Sequence, residues 1–370
     1  MEEINNSSAN SYNSNNSKNS NNIPEPRSSA VVLNLGGNKF FLFGGGSREK
    51  TFNDFWILLV KKNQNHAAEL KWFEISDYNL EIPNSRFGSA GCVLKDKNNP
   101  NLYTLYIHGG QNFFENKIFG DMLIIKLNEA VENSNNFYKI EGIENITTYP
   151  IDIKTTPIQR NSHCMITFNE NLFIFGGGSS EGLLNDLWRF NITTKKWHIC
   201  EIIGKTIPSR EMHGMVVYTN KKNENYLYIF GGRLLESIDD KIYRVNLTDY
   251  KCEYVTNIPM ALCSFSYVLY KYFIIIYGGT DGNTFFNDII IFNITNSKWA
   301  KSKFQIHSEL VKSDPNLAFF LGRIGSSMSI DYESEQLLIF GGSSIHKDTN
   351  YTCVLKLKDL FDENNLTPCL

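Results

Sequence analysis

The side chains able to do chemistry in this 370-residue chain are chiefly arginines, histidines and cysteines, and the first two recur at matching places along it. Arg27, Arg86, Arg160, Arg210 and Arg323 each open a stretch rich in small residues: "RSSAVV", "RFGSAG", "RNSHCM", "REMHGM" and "RIGSSM". A guanidinium is a permanent cation whose forked donors match carboxylates, so several of them on one face would suit an acidic peptide. The competing expectation is that each arginine bonds a backbone carbonyl or a carboxylate inside its own repeat. His163 and His213 both stand three residues after an arginine, and such repetition points to a structural part rather than a general base or ligand. The cysteines (Cys92, Cys164, Cys200, Cys252, Cys263, Cys353, Cys369) are scattered and form no C-x-x-C pair, which points to reduced thiols and supplies no zinc spacing. "GGGS" at 44–47 and "GGGSSEG" at 176–182 lack the Lys-Ser/Thr of a phosphate loop and open no helix. The expectation is a protein without catalytic residues, cofactor or metal.

Composition narrows the partners. With 36 basic and 39 acidic residues the formal charge is −3, so no global field draws the chain to nucleic acid or an anionic membrane. No apolar run approaches the roughly 18 residues of a membrane-spanning helix, and no signal-peptide core opens the chain, so a cytoplasmic or nuclear monomer is expected. Without a secretory signal, the sequons at Asn145, Asn191, Asn246, Asn293 and Asn365 read as turns, three of them at one repeat position.

The elements that must position these residues form a repeat. Six apolar runs end in paired glycines: "FFLFGG" (Gly44, Gly45), "LYIHGG" (Gly109, Gly110), "LFIFGG" (Gly176, Gly177), "LYIFGG" (Gly231, Gly232), "IIIYGG" (Gly278, Gly279) and "LLIFGG" (Gly341, Gly342). Soon after each comes a second signature: "NDFW" with Trp56, "GDML" at 120–123, "NDLW" with Trp188, "DKIY" with Tyr243, "NDII" at 287–290 and a degraded "NYTC" at 350–353. A Lys-aromatic strand follows in several copies, as at Trp197 and Trp299. The unit is four short strands, and the continuous apolar runs require cover on both faces of every sheet. No long helical pattern can supply that cover, so sheets must pack on sheets.

Apolar strand, Gly-Gly, Asn-Asp with Trp or Tyr, then Lys-Trp: in this order the motifs resemble the kelch repeat over about residues 27–357. The resemblance implies an all-β, six-bladed kelch-type β-propeller with four antiparallel strands per blade. The expected repeats run over roughly 27–72, 86–139, 160–197, 210–254, 262–299 and 323–370, within a domain at 23–370. Residues 1–22 hold nine Asn and six Ser and are expected to be a disordered tail. The sixth repeat shows no Lys-Trp strand; its outer strand is expected from residues near Leu366–Leu370, from residues just before Arg27, or from a longer chain.

The resemblance also implies a rigid scaffold or adaptor that holds proteins on one loop face, similar to small stand-alone kelch proteins. The recurring arginines and the loops after each Gly pair mark that face: Arg48, Gln111, Phe113, Phe114, Ser179, Arg233, Leu234, Asp281, Ser343 and His346, with Asn112, Ser180 and Leu235 beside them. No helical segment of the ubiquitin-adaptor kind precedes the repeats. A second expectation is the regulatory or targeting domain of a larger enzyme, such as a kelch-linked serine/threonine phosphatase. A metal-dependent propeller enzyme comes last, because Tyr, His and Cys form no pattern like that of the copper-binding kelch oxidases.

Overall fold

The computed structural model describes residues 23–62, 68–76, 80–132, 135–146, 155–302, 322–361 and 366–369. Residues 1–22 and Asn365 lie outside them. The described chain is a six-bladed β-propeller. Blade one contains Val31–Gly36, Lys39–Phe43, Phe55–Lys62 and Ala68–Ile75, paired antiparallel in chain order. Blade two contains Ala90–Lys95, Leu102–His108, Met122–Glu132 and Asn135–Ile146. Blade three contains Cys164–Phe168, Asn171–Ser179, Gly182–Asn191 and Lys196–Cys200. In blade four (Gly214–Thr219, Asn225–Phe230, Lys241–Asn246, Lys251–Asn257) the outer strand also takes Ile203–Gly204 in parallel from the linker that leaves blade three. Blade five contains Ser266–Tyr270, Phe273–Tyr277, Ile289–Asn293 and Lys298–Ser302.

The sixth blade departs from expectation. Among the described residues it has three strands, Ser327–Asp331, Gln336–Phe340 and Thr352–Lys356, followed by a short helix, Leu357–Leu360. Leu366–Pro368 is a strand, but it pairs with Ala300, Lys301 and Ser302 on blade five instead of completing blade six. The helix explains the detour: Leu357 and Leu360 are buried, and Phe361 packs on Tyr270 and Phe273, so the chain is drawn across to its neighbour.

The unbroken apolar runs have a simple cause. Successive side chains of a strand point to opposite faces, and both faces of every blade meet another blade. In blade one Phe41 and Phe43 pack against Tyr103, Leu105 and Ile107 of blade two, whereas Phe40 and Leu42 pack against Leu338 and Phe340 of blade six. Equivalent clusters fill the junctions between blades two and three, three and four, four and five, and five and six. The innermost strands, rich in Ser, Ala, Gly and Cys, surround a central cavity of about 820 Å³.

Backbone hydrogen bonds repeat around the ring. The second glycine of each pair donates its N–H to the residue that opens the next blade: Gly45 to Arg86, Gly110 to Arg160, Gly177 to Arg210, Gly232 to Leu262, Gly279 to Arg323 and Gly342 to Arg27, at 2.8–2.9 Å. Nearer the axis, Gly88 donates to Ser29, Ser162 to Gly88, Met212 to Ser162, Ser264 to Met212, Gly325 to Ser264 and Ser29 to Gly325, a closed circle of N–H···O=C bonds at 2.7–3.1 Å. The ring thus closes between blades six and one by the same backbone contacts as elsewhere.

Both glycines of every pair have positive φ. A Cβ on Gly176 would lie 2.7 Å from the carbonyl oxygen of Arg210, and one on Gly231 would lie 2.7 Å from that of Leu262. Only glycine combines that conformation with that approach. Gly176→Val and Gly231→Val should each cost several kcal/mol, of order 3, and lower the melting temperature clearly. Gly142→Ala, with nothing within 4 Å of the added Cβ, should change it little. Calorimetry of the three variants checks this.

Candidate functional site

The five repeated arginines stand at the start of the innermost strands, on the same ring face as the loops after Gly-Gly. They do not project from it. Arg27, Arg86, Arg160, Arg210 and Arg323 are at most 2% exposed. In blade one Arg27 Nε donates to Glu25 O, Nη1 donates to Gly44 O at 3.0 Å, and the fork grips Asp54 at 2.5 and 2.9 Å. The guanidinium also lies 3.7 Å from the centroid of the Phe52 ring, close enough for a cation–π contact. Arg86 repeats this with Asn84 O, Gly109 O, Asp121 and Phe119, and Arg160 with Ile158 O, Gly176 O and Asp186. Each clamp therefore ties the incoming linker, the Gly-Gly corner and the third strand of one blade. The expectation that these five cations would face a partner is corrected: their donors serve the fold.

The carboxylates in the clamps come from the Asn-Asp signature, which sequence reading left unassigned. Asp54 and Asp186 each also accept the indole N–H of the tryptophan two residues on, Trp56 at 2.7 Å and Trp188 at 2.6 Å. In blade four the aligned position is Lys241, and Arg210 instead pairs with Asp239 at 2.8 Å, without hydrogen-bond alignment, its guanidinium 5.2 Å from the Tyr243 ring centroid. Arg323 donates to Gly341 O, with Tyr351 at the aligned acidic position. Blade five has Leu262 for its arginine, and Asp288 pairs with Lys301 at 2.8 Å. Burial pushes the Asp121 carboxyl up, but the bonds and charge of Arg86 and the Asn145 amide outweigh it and hold it below the usual range. Asp186 behaves likewise, with Arg160 and Trp188 outweighing burial. Asn145 is therefore a strand residue bonded to Asp121 rather than a turn, whereas Asn191, Asn246 and Asn293 do cap turns with their side-chain oxygens.

The histidines are interior parts. His163 and His213 lie over Gly109 and Gly176 of the preceding blades, as Phe265 lies over Gly231. Burial pushes both imidazoles well below their ordinary range. His108, 3.0 Å from His163 Nε2, is lowered to about 3 by burial and the neighbouring Arg160 charge. These rings are neutral at physiological pH. Among the described residues, no group of three or more His, Cys, Asp or Glu side chains is arranged to hold a metal ion. The central cavity has no acidic or basic lining side chain apart from His163 and His213.

The loops after the Gly pairs sort into builders and exposed tips. Arg48 is another builder: its guanidinium donates to the carbonyls of Ser344, Ile345 and His346, which ties blade one to blade six. Arg233 is ion-paired with Glu211. Gln111 pairs with Phe87 through its backbone, Ser179 Oγ donates to Gly182 O, Asp281 caps Asn283 and Thr284, and Ser343 bonds Ile324 through its backbone. Leu234 is half-buried, and His346 is exposed at the tip of the sixth-blade loop. On these loops the large apolar side chains exposed to solvent are Phe113 (75%), Phe114 (55%), Leu235 (81%) and Ile345 (62%), on blades two, four and six. Ile345 was missed in the sequence, where an isolated Ile in "SSIH" carries no pattern.

The clamps should make stability acid-sensitive. A carboxyl whose folded pKa is depressed stabilises the fold above its unfolded value of about 4, and that stability is lost as pH falls through the folded value. Denaturant unfolding should therefore show stability dropping below about pH 4. Asp186→Asn, which strands the buried Arg160 charge, should cost about 3–5 kcal/mol at pH 7 and flatten the acid-side slope.

The same geometry meets its relatives in comparison with known proteins. A family model described as the KLHDC2/KLHL20/DRC7 kelch-repeats domain matches residues 66–223. The chain is 25% identical to Kelch repeat-containing protein 2 of Saccharomyces cerevisiae over 231 residues, covering 59% of this chain and 24% of the yeast protein. It is 25% identical to Host cell factor of Drosophila melanogaster over 228 residues, covering 56% and 13% of the two chains. Likeness to the N-(sulfonatooxy)prop-2-enimidothioate sulfolyase of Thlaspi arvense is 25% over 158 residues, covering 39% and 44%. The match spans less than half the length of each of these relatives. Gly-Gly corners, Arg–Asp clamps and six blades agree with these likenesses: the chain is a six-bladed β-propeller similar to kelch-repeat proteins.

Proposed function

We propose that the chain is a non-catalytic interaction module of the cytoplasm or nucleus that holds a protein partner on the loop face after the Gly-Gly corners. The exposed tips Phe113, Phe114, Leu235 and Ile345 carry this reading, because large apolar side chains on rigidly held loops are the type of group that anchors interfaces. The phenylalanines sit edge-to-face, with ring centroids 6.2 Å apart, on a loop fastened by the Asn112 side chain, so little order remains to be gained on binding. The contacts come from apolar tips rather than from the five repeated arginines, whose side chains are buried.

A second reading, as the regulatory domain of a larger enzyme, is favoured by the length of the relatives, in which the matched region is the smaller part. It uses the same face. The name of the Thlaspi relative describes a lyase, yet the likeness covers only 39% of this chain.

Phe113→Ser/Phe114→Ser and Leu235→Ser/Ile345→Ser should abolish or reduce co-purification of partners from the native cell by tenfold or more while the melting temperature stays within a degree or two. Undiminished capture by both double variants would overturn the reading. Lys195→Ala, on the opposite face where it pairs with Glu144, should leave capture unchanged.

A further inference from the structure

The face opposite the Gly-Gly corners is built from hairpin turns. Because the strands of each blade pair antiparallel in chain order, the first-to-second and third-to-fourth turns all end on that face. Its charge differs from that of the whole chain. The eight such turns of blades two to five (95–102, 132–135, 168–171, 191–196, 219–225, 246–251, 270–273 and 293–298) hold nine lysines and five carboxylates, 9 − 5 = +4, against −3 for the whole chain. None of the chain's arginines lies in these turns.

Several of the carboxylates are engaged by their own turns. Asp96 accepts the N–H groups of Asn98 and Asn99 at 2.8 and 2.9 Å, Glu224 accepts from Asn220 Nδ2 at 2.7 Å, and Asp249 accepts from the Lys251 N–H at 3.0 Å. Most of the ammonium groups are not held in this way. Lys195 pairs with Glu144 and Lys271 with Glu335. Lys97, Lys196, Lys221, Lys222, Lys251 and Lys298 are exposed and form no ion pair with any described carboxylate. The sector from blade two to blade five therefore presents a local positive field that the formal charge of the whole chain conceals.

We propose that this face rests on an anionic phospholipid surface, with blades three to five nearest the headgroups. Free lysines spread over four blades can meet a plane of charge all at once, whereas a small ion or a short peptide would touch only a few of them. Lysine is suited to this: its compact ammonium on a flexible stem meets a diffuse layer of headgroups without fixed geometry. Arginine, whose fork favours the bidentate phosphate contacts common in nucleic-acid recognition, is missing from the turns. Tyr272 and Tyr332, 39% and 59% exposed on neighbouring turns of blades five and six, add amphipathic rings of the kind that settle at a membrane interface. The opposite loop face then points away from the bilayer, and its apolar tips stay open to a protein partner. The surface contact itself does not depend on that partner.

Co-sedimentation of the purified full chain with vesicles tests this. At about 0.1 M salt the chain should bind phosphatidylcholine vesicles that contain about one-third phosphatidylserine, and should not bind vesicles of phosphatidylcholine alone. Each lysine close to such a surface counts for about fivefold in affinity, so Lys221→Glu/Lys222→Glu should weaken binding at least twentyfold. Its melting temperature should stay within about two degrees of the parent, because both side chains are exposed. Charge reversal on the loop face, Lys117→Glu/Lys347→Glu, should leave vesicle binding unchanged, as should Phe113→Ser/Phe114→Ser. Absence of binding to the phosphatidylserine vesicles would overturn the proposal, and so would equal binding by Lys221→Glu/Lys222→Glu or an equal loss in Lys117→Glu/Lys347→Glu. Tighter binding of an RNA duplex than of the vesicles, lost in the same Lys221/Lys222 variant, would overturn it in favour of a nucleic-acid surface.

Discussion

Everything in this ring depends on one backbone contact: the N–H of the second glycine in each pair reaching the carbonyl of the residue that opens the next blade. It demands positive φ and the absence of a Cβ, and it fixes where the next innermost strand begins. Blade five shows that the backbone and not the side chain is primary, since Leu262 accepts from Gly232 at 2.8 Å as the arginines accept elsewhere. Once that junction is set, the arginine is delivered to the interior, where its charge must be met. The Gly carbonyl and the Asp of the third strand meet it, and an uncompensated guanidinium there would be costly. The clamp is thus a consequence of the corner that it then stiffens.

Much of this was legible in the residues. The glycine pairs and the two-faced apolar strands admit few arrangements other than sheets packed in a ring, and six copies counted the blades. The arginines were visible but their direction was not, because a recurrent cation at a strand start fits either a partner or an internal carboxylate. Only the coordinates show Asp54, Asp121 and Asp186 under the forks, and the shift in blade four from Lys241 to Asp239. Leu366–Pro368, one of three candidates for the sixth blade's outer strand, pairs with blade five; three residues ending in proline carry no pattern, and Leu360 and Phe361 are packed against blade five just before them. Ile345 stands out only when its exposure is known.

A division of labour follows. Charged groups that might have made the loop face sticky are largely spent on holding it: Arg48 caps the carbonyls of the sixth-blade loop and Arg233 pairs with Glu211. Among the side chains that project into solvent from blades two, four and six are Phe113, Phe114, Leu235 and Ile345, set on loops held by the corners of the ring. A rigid frame with a few projecting hydrophobic tips suits the proposed role, because binding then orders little that was not ordered before.

The central claim is that the ring closes on itself by contacts that are equivalent at all six junctions. Native-state hydrogen exchange of the Ser29, Gly88, Ser162, Met212, Ser264 and Gly325 amides tests it most directly. These N–H groups form the closed circle near the axis, and equivalence predicts that all of them exchange only through global unfolding, with one common free energy. Faster exchange of Ser29 and Gly325 than of the other four, through local opening between blades six and one, would contradict it.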